Sequence, residues 1–509
     1  MEGLTLGDLA ETNARKYPSD DCLVSLVDGA RERITFREFD EQVNQIAQVL
    51  ADRGVSEGDR VGVYMQNHPE TIQSYYAAMK LGALPVPINH RFKDDEVGYV
   101  LRDSNASFCL FDSDARETIS SIAAQDETEI DDYLYLGADV PDFAEGFHDA
   151  RNGVSTDRID VVPNRLDAAA LMYTSGTTGK PKGCVLTHDN IIQNSVNTVY
   201  SCQFDENKDR FLVVTPLFHI AAFALFNNTF YCGSTTYLIN DFDPVRVMEV
   251  IDAEEITGSF FVPMMSRALL NVDGFEDYDI DSFEHYMTGA APSGEELKAE
   301  LIESFDANLY EVFGQTETSP VTCLLDPENA LEKPDSIGKP IVNVAVKIVG
   351  DNGEEVEPGE IGRIAYRGPT VFEKYLGMPE KTEEVFDDDG YFVSSDLVRR
   401  DEDGFLYFVG RYDDMIISGG ENIHPAEIEE VLHEHERISE AAVVGVPDEE
   451  WTERVKAAIV LRDGASMTAE EVAEYVGDRI ADFKKPREIE FRDELPRNPT
   501  GKIVKENLK

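Results

Sequence analysis

Apolar positions along this chain follow two rhythms in alternation. Short apolar runs, Arg60-Val-Gly-Val-Tyr-Met65, Ala83-Leu-Pro-Val-Pro87 and Ser107-Phe-Cys-Leu-Phe111, read as buried strands. Pro69 to Leu81 and Asp94 to Asp103, between them, read as helices. Upstream, Thr35-Phe-Arg-Glu38 has the form of a capping box, opening a helix that carries Phe39, Val43, Ile46 and Leu50 on one face. Strands alternating with helices predict a parallel sheet covered on both faces. The rhythm resumes at Arg210-Phe-Leu-Val-Val214 and Gly258-Ser-Phe-Phe-Val262. From about residue 335 short strands with Gly and Pro turns take over, as in Val344-Ala-Val-Lys-Ile-Val349 before Asp351-Asn-Gly353. From Arg411 the pattern is compact α+β: a helix at about Pro425 to Leu432, strands at Ala441–Val446 and Val455–Leu461, and a helix capped by Thr468 and Glu471. The expectation is an α/β protein with a large N-terminal domain over 1–410, holding a β-rich subdomain at about 335–410, and a small mobile α+β domain over 411–509.

A length of 509 residues exceeds one core, and an apolar fraction of 42% suffices for folded domains. No apolar run reaches the roughly eighteen residues that a membrane span needs. Met1-Glu-Gly-Leu-Thr-Leu-Gly-Asp8 has neither the basic nor the apolar region of an export signal, which predicts a cytoplasmic protein. The 6 cysteines are scattered with no C-x-x-C pair, as expected of reduced, mostly buried thiols. The net charge of −55 is dispersed, for example at Asp387-Asp-Asp389 and Asp401-Glu-Asp403. Concentrated salt screens such self-repulsion, so a halophilic, haloarchaeal cytosol is predicted. With no basic stripe, nucleic acid is disfavoured as a partner.

The most informative segment is Tyr173-Thr-Ser-Gly-Thr-Thr-Gly-Lys-Pro-Lys-Gly183. Small residues admit a polyanion close to the backbone, hydroxyls and N–H groups donate to its oxygens, and lysines neutralise its charge. Apolar Ala168-Ala-Ala-Leu-Met172 precedes it and Leu186-Thr-His-Asp-Asn190 leads into a helix, so it reads as a phosphate-binding loop after a strand. It is not the common P-loop, because its glycines are too close and Pro181 follows Lys180. The string resembles the phosphate loop of the adenylate-forming superfamily of acyl-CoA synthetases, aryl-CoA ligases, adenylation domains and luciferases.

The resemblance extends over nearly the whole chain. Pro216-Leu-Phe-His219 resembles the motif at the acyl-pocket gate, and Thr288-Gly-Ala-Ala-Pro-Ser293 the segment lining the adenine. Tyr310-Glu-Val-Phe-Gly-Gln-Thr-Glu317 resembles the Y-G-x-T-E motif, and Tyr391-Phe-Val-Ser-Ser-Asp396 takes the place of the ribose-binding aspartate. Gly410 to Pro425 resembles the hinge motif and Asn498-Pro-Thr-Gly-Lys502 the C-terminal lysine motif. By resemblance, Thr174, Ser175, Gly176, Thr177, Thr178, Gly179 and Lys182 hold the β- and γ-phosphates of ATP. Ala290, Phe313 and Gly314 meet the adenine, and Asp396 with Arg411 the ribose. Glu317, acceptor-only and hard, suits Mg²⁺, and Thr316 donates to the α-phosphate. Lys502 bridges carboxylate and phosphate in the first half-reaction. Phe313 stands where tyrosine is usual and Ser395 where glycine is usual.

The resemblance further implies an acyl pocket at His219, Phe223, Met264 and Gly289, with His219 as a gate and not a general base. Asp413 is the implied hinge, presenting Ser418, Gly419 and Gly420 to the pantetheine of coenzyme A. Trp451, Phe483 and Lys485, with Arg91, are the implied contacts of the CoA nucleotide. The pocket residues are mostly apolar and include no cation for a second carboxylate, which favours an apolar acid, fatty or aromatic, with a medium- or long-chain fatty acid as the expected substrate. A benzoate-type or 2-succinylbenzoate ligase and a carrier-protein-loading adenylation enzyme are the alternatives. The partners expected are a small carboxylic acid, ATP and CoA, with the chain as a monomer or homodimer.

Overall fold

Arg60–Tyr64 anchors a sheet in which Leu84–Pro87, Phe108–Asp112, Asp132–Leu136 and Glu145–Gly146 all run parallel. The helices Pro69–Lys80 and Asp94–Asp103 form where the sequence predicts them. The Thr35 capping box is also present, and Phe39, Val43, Ile46 and Leu50 are all buried. The computed structural model describes residues 4–125, 128–174, 180–418, 421–448, 451–462, 464–497 and 503–509.

The chain divides into two compact units, Met1–Val346 with Tyr366–Phe392, and Lys347–Ala365 with Val393–Lys509. In the first unit a second sheet has a parallel centre. Its order is Asp21–Ser25, Thr235–Leu238, Arg210–Val213, Gly258–Phe261, His285–Gly289 and Asn308–Gly314. Antiparallel Glu32–Thr35 closes one end, and Val321–Leu325 with Ser336–Pro340 extends the other. Buried Leu212, Phe261, Tyr286 and Leu309 from its strands pack with Val247, Ile251, Leu297 and Leu301 from helices. Burying such side chains stabilises by about 1.5–3 kcal/mol each, which fixes strand order around the sites below.

The segment Leu186–Asn190 leads into a helix as expected, and the structure adds a strand ahead of it. Lys182–Thr187 is a strand antiparallel to Ala168–Thr174, and only then does the helix His188–Ser201 begin, capped by Thr187. β-branched Val185 and buried Cys184 and Leu186 favour an extended return strand, which runs into the helix-start signal at Thr187. Lys374–Tyr375 adds to this hairpin as a third strand.

In the second unit, Phe392–Arg400 pairs antiparallel with Leu406–Arg411. Ile438–Asp448 and Thr452–Leu461 form a long hairpin that Glu488–Phe491 extends in parallel. The helices Pro425–His433 and Ala469–Gly477 bury Ile428, Leu432, Val472 and Val476 against its apolar positions. No helix among the described residues is long and apolar enough to cross a membrane. All six cysteines are free and buried.

Candidate active site

The flanks of the phosphate-loop segment are fixed by tyrosines. Tyr173, at the end of the first hairpin strand, donates its hydroxyl to Asp103 Oδ2 at 2.8 Å, and Tyr99 donates to the Pro181 carbonyl at 3.1 Å. The Lys180 ammonium lies 5.2 Å from the Tyr99 ring centroid. Thr174 and Lys182 are cross-strand partners, so a hydroxyl and an ammonium emerge side by side at the hairpin mouth. Ser175, Gly176, Thr177, Thr178 and Gly179 lie outside the described residues.

Glu317 approaches the same hairpin from a short 3-10 turn, Thr316–Thr318. Its Oε1 accepts from the Tyr375 hydroxyl at 2.9 Å, and its carbonyl accepts from the Phe372 N–H at 2.8 Å. Burial and then the Glu317 charge push the Cys184 thiol well up, so it stays a neutral packing group, 4.0 Å from Thr174 Oγ1. The turn itself is clamped by the helix behind it. Asn194 donates through Nδ2 to the carbonyls of Thr318 (3.2 Å) and Val321 (2.8 Å). One turn earlier, Asn190 does the same for Pro369 (2.7 Å) and Val371 (2.9 Å). The glycine of the motif has a steric cause: a Cβ on Gly314 would stand 1.8 Å from the Pro320 carbonyl oxygen. Phe313, beside it, is half-buried and ends the strand Asn308–Gly314.

On the acyl side, His219 caps the helix Ile220–Tyr231, its Nδ1 accepting from the Ala221 N–H at 3.2 Å. Burial pushes its pKa down to about 4, so the imidazole is neutral at working pH. Phe223 packs on Tyr75 with ring centroids 5.8 Å apart. Gly289 is buried where a Cβ would meet the Val312 carbonyl oxygen at 2.2 Å. Ala290, next to it, has φ +66°, a left-handed conformation that costs a non-glycine residue about 1–3 kcal/mol. Met264 is 59% exposed on the helix Pro263–Leu270.

In the second unit, Asp396 and Arg411 face each other across the strand pair, Arg411 Nε 3.6 Å from Asp396 Oδ1. Asp396 Oδ2 accepts from the Ser394 hydroxyl at 3.1 Å. Ser395, where glycine is usual, accepts from Arg411 Nη2 at 2.5 Å and so helps aim the guanidinium. Asp413 is exposed in the 3-10 turn Tyr412–Asp414, and Ser418 is buried at a strand end. Trp451 carries the Arg487 guanidinium 4.5 Å from its ring centroid, while its backbone N–H donates to Asp448 Oδ1 at 3.0 Å. Phe483 is 40% exposed, and the Lys485 stem lies along Gly477. Arg91, in the first unit, is exposed. Gly419, Gly420 and Lys502 lie outside the described residues, although Arg497 and Ile503, flanking the lysine motif, form an antiparallel bridge.

Tyr375, Asn190, Asn194 and Arg487 are the contributors that the sequence does not announce. Each acts through a partner remote in the chain, and none lies in a motif with its own chemistry.

Comparisons with known proteins identify the family. Residues 10–376 match the family model of the AMP-binding enzyme, and 427–502 that of the AMP-binding enzyme C-terminal domain. A feruloyl-CoA synthase of Amycolatopsis sp is 36% identical, over 93% of this chain and 92% of its own. A long-chain-fatty-acid–CoA ligase, FadD13 of Mycobacterium tuberculosis, is 35% identical, over 94% and 93%. The crystal structure of ATP-bound MatB from Rhodopseudomonas palustris superposes with a TM-score of 0.89 at 29% identity, covering 100% of this chain and 98% of that one. The chain therefore belongs to the AMP-binding enzyme family, as an AMP-forming acid–thiol ligase of the acyl- and aryl-CoA ligase type.

Proposed function

We propose that this enzyme activates a medium- or long-chain fatty acid in two half-reactions. In the first, a carboxylate oxygen attacks the α-phosphorus of ATP; an O–P bond forms, the α–β bridge breaks, and pyrophosphate leaves. In the second, the CoA sulfur attacks the acyl carbon, the bond to the phosphate oxygen breaks, and AMP leaves. Both reactants of the first step are anions, so the chemistry depends on cations and oriented donors. Thr174 and Lys182 donate to the β- and γ-phosphates, Thr316 to the α-phosphate, and Lys502 to both the attacking carboxylate and the phosphate. Asp396, with Arg411 beside it, accepts from the ribose hydroxyls. Phe313 offers its ring to the adenine.

The residues present fit Mg²⁺ bound largely through the nucleotide. Among the described residues no three His, Cys, Asp or Glu side chains gather to hold a metal, and Glu317 is a single oriented carboxylate. Mg²⁺ in such sites keeps waters and phosphate ligands beside one or two carboxylates. When bound, it neutralises charge on the phosphates. Asp413, exposed between two strands, is the proposed hinge between the half-reactions.

The observation that supports an apolar monocarboxylic acid is the acyl side: a neutral His219, Phe223 against Tyr75, and Gly289, with no cation among the proposed pocket residues to meet a second carboxylate. The feruloyl-CoA relative supports an aryl acid as the second reading. Pyrophosphate release in molar KCl, across acetate, butyrate, octanoate, palmitate, benzoate, ferulate and 2-succinylbenzoate with and without CoA, tests both. Turnover with octanoate or palmitate only when CoA is present is expected. Turnover confined to ferulate or benzoate would move the assignment to the aryl reading.

A further inference from the structure

We propose that Tyr375 is a positioning residue, holding the carboxylate of Glu317 and the ammonium of Lys182 in fixed relation on the triphosphate side of the site. This rests on the reading of Glu317 and Lys182 given above and adds a residue to it.

Tyr375 is placed by backbone pairing. It stands opposite Cys184 in the antiparallel pair that Lys374–Tyr375 makes with Lys182–Thr187. On either side of it, Glu373 N–H donates to the Val185 carbonyl at 3.1 Å and Leu376 N–H to the Gly183 carbonyl at 2.8 Å. The side chain is buried, at 5% exposure, and Phe372 meets it edge-on with ring centroids 4.8 Å apart. Strand register and an aromatic neighbour thus leave the ring little freedom. From that fixed position its hydroxyl and its ring engage different groups. Its hydroxyl donates to Glu317 Oε1 at 2.9 Å, and its ring centroid lies 5.5 Å from Lys182 Nζ.

These contacts use different parts of one aromatic. The carboxylate is engaged at the hydroxyl edge and the ammonium by the π system, within the range where a ring attracts a cation. Opposite charges left to themselves near a phosphate site would turn toward each other, and each would then be a weaker ligand for what it must bind. A neutral, rigid tyrosine between them gives each a partner that does not cancel its charge. The hydroxyl also restrains the carboxylate in the absence of nucleotide, so less ordering remains to be done on binding.

The test is Tyr375→Phe in the full chain, which keeps ring, packing and cation contact and removes only the hydroxyl. ATP binding is measured by calorimetry over a series of Mg²⁺ concentrations, and AMP binding in parallel. AMP lacks the β- and γ-phosphates, so it reports on the fold and the nucleoside side alone. The expected result is ATP affinity about tenfold weaker, as for loss of one hydrogen bond to a charged group, and a higher Mg²⁺ concentration for half-saturation. AMP affinity should change less than about twofold. In a Glu317→Gln background the same change should cost ATP affinity less than about twofold, because the charged acceptor is gone. Equal losses for ATP and AMP would make Tyr375 merely structural and overturn the inference. An unchanged ATP affinity in Tyr375→Phe, with normal ATP binding by the unaltered enzyme, would overturn the inference alone. Failure of the unaltered enzyme to bind ATP would overturn the functional reading with it.

Discussion

Glu317 and Asp396 are both acidic residues assigned to ATP, one in each unit, and they are held by opposite means. Asp396 is set locally: Ser394 lies two residues away, and Arg411 faces it across a single strand pair. Glu317 is set by the tertiary fold: Tyr375 is 58 residues on, and its turn is tied down by Asn194, 124 residues before Thr318. Local means tolerate local repair. A tertiary clamp couples the ligand to the packing of a whole helix and a third strand, so damage far away in sequence should be felt at the phosphates.

Removing the two carboxylates should give the largest effects and separate their roles. Glu317→Ala is expected to lower kcat for ATP–pyrophosphate exchange by about 10²–10³-fold, as for loss of an oriented electrostatic group in the transition state. Asp396→Ala should mainly raise the KM for ATP, by about 10–100-fold, as for loss of charged hydrogen bonds made in ground and transition states alike. The reverse split, measured by steady-state exchange, would exchange the roles.

Acid should come next in size, through the first unit. His188 is fully buried, accepts from the Leu6 N–H at 3.3 Å, and is pushed by burial from its ordinary 6.5 to about 4. A histidine pKa lowered on folding means that the unfolded chain takes up the proton first. Stability is therefore complete above about pH 6.5 and is lost as pH falls toward 4, by up to about 3 kcal/mol. Denaturation midpoints at fixed salt between pH 7 and pH 4 measure this, and His188→Gln should flatten the slope.

Asn194→Ala leaves two buried carbonyls without their donor. It should destabilise the first unit by about 1–3 kcal/mol and weaken ATP more than AMP. Chemical unfolding curves with paired binding measurements would show whether the clamp on Glu317 is real. The smallest change belongs to the local site. Ser395→Gly removes the Arg411–Ser395 contact but leaves the Asp396–Arg411 pair, so KM for ATP should move by less than about threefold.

The same contrast explains what the sequence discloses. Asp396, Arg411, Thr174 and Lys182 lie in strings whose residue types suggest the proposed chemistry, and strand pairing puts Asp396 opposite Arg411 and Thr174 opposite Lys182. The helix faces at Phe39–Leu50 and the capping boxes at Thr35 and Thr468 are equally legible, because a helix is written over a few turns. The return strand Lys182–Thr187 was hidden because six residues between a Gly-rich loop and a strong N-cap carry little period of their own. Tyr375 and Asn194 were hidden for a deeper reason. Their roles come from where other strands and helices bring their partners, and one chain read along its length does not contain that juxtaposition.

The most direct measurement follows the oxygen. Octanoate labelled with ¹⁸O in its carboxylate is incubated with ATP, Mg²⁺, CoA and the enzyme in molar KCl, and the AMP and pyrophosphate are weighed by mass spectrometry. Attack of the carboxylate on the α-phosphorus, followed by cleavage of the acyl–oxygen bond by the thiol, predicts a single ¹⁸O in AMP and none in pyrophosphate. Label in inorganic phosphate with formation of ADP, or turnover that leaves AMP unlabelled, would contradict an acyl-adenylate route.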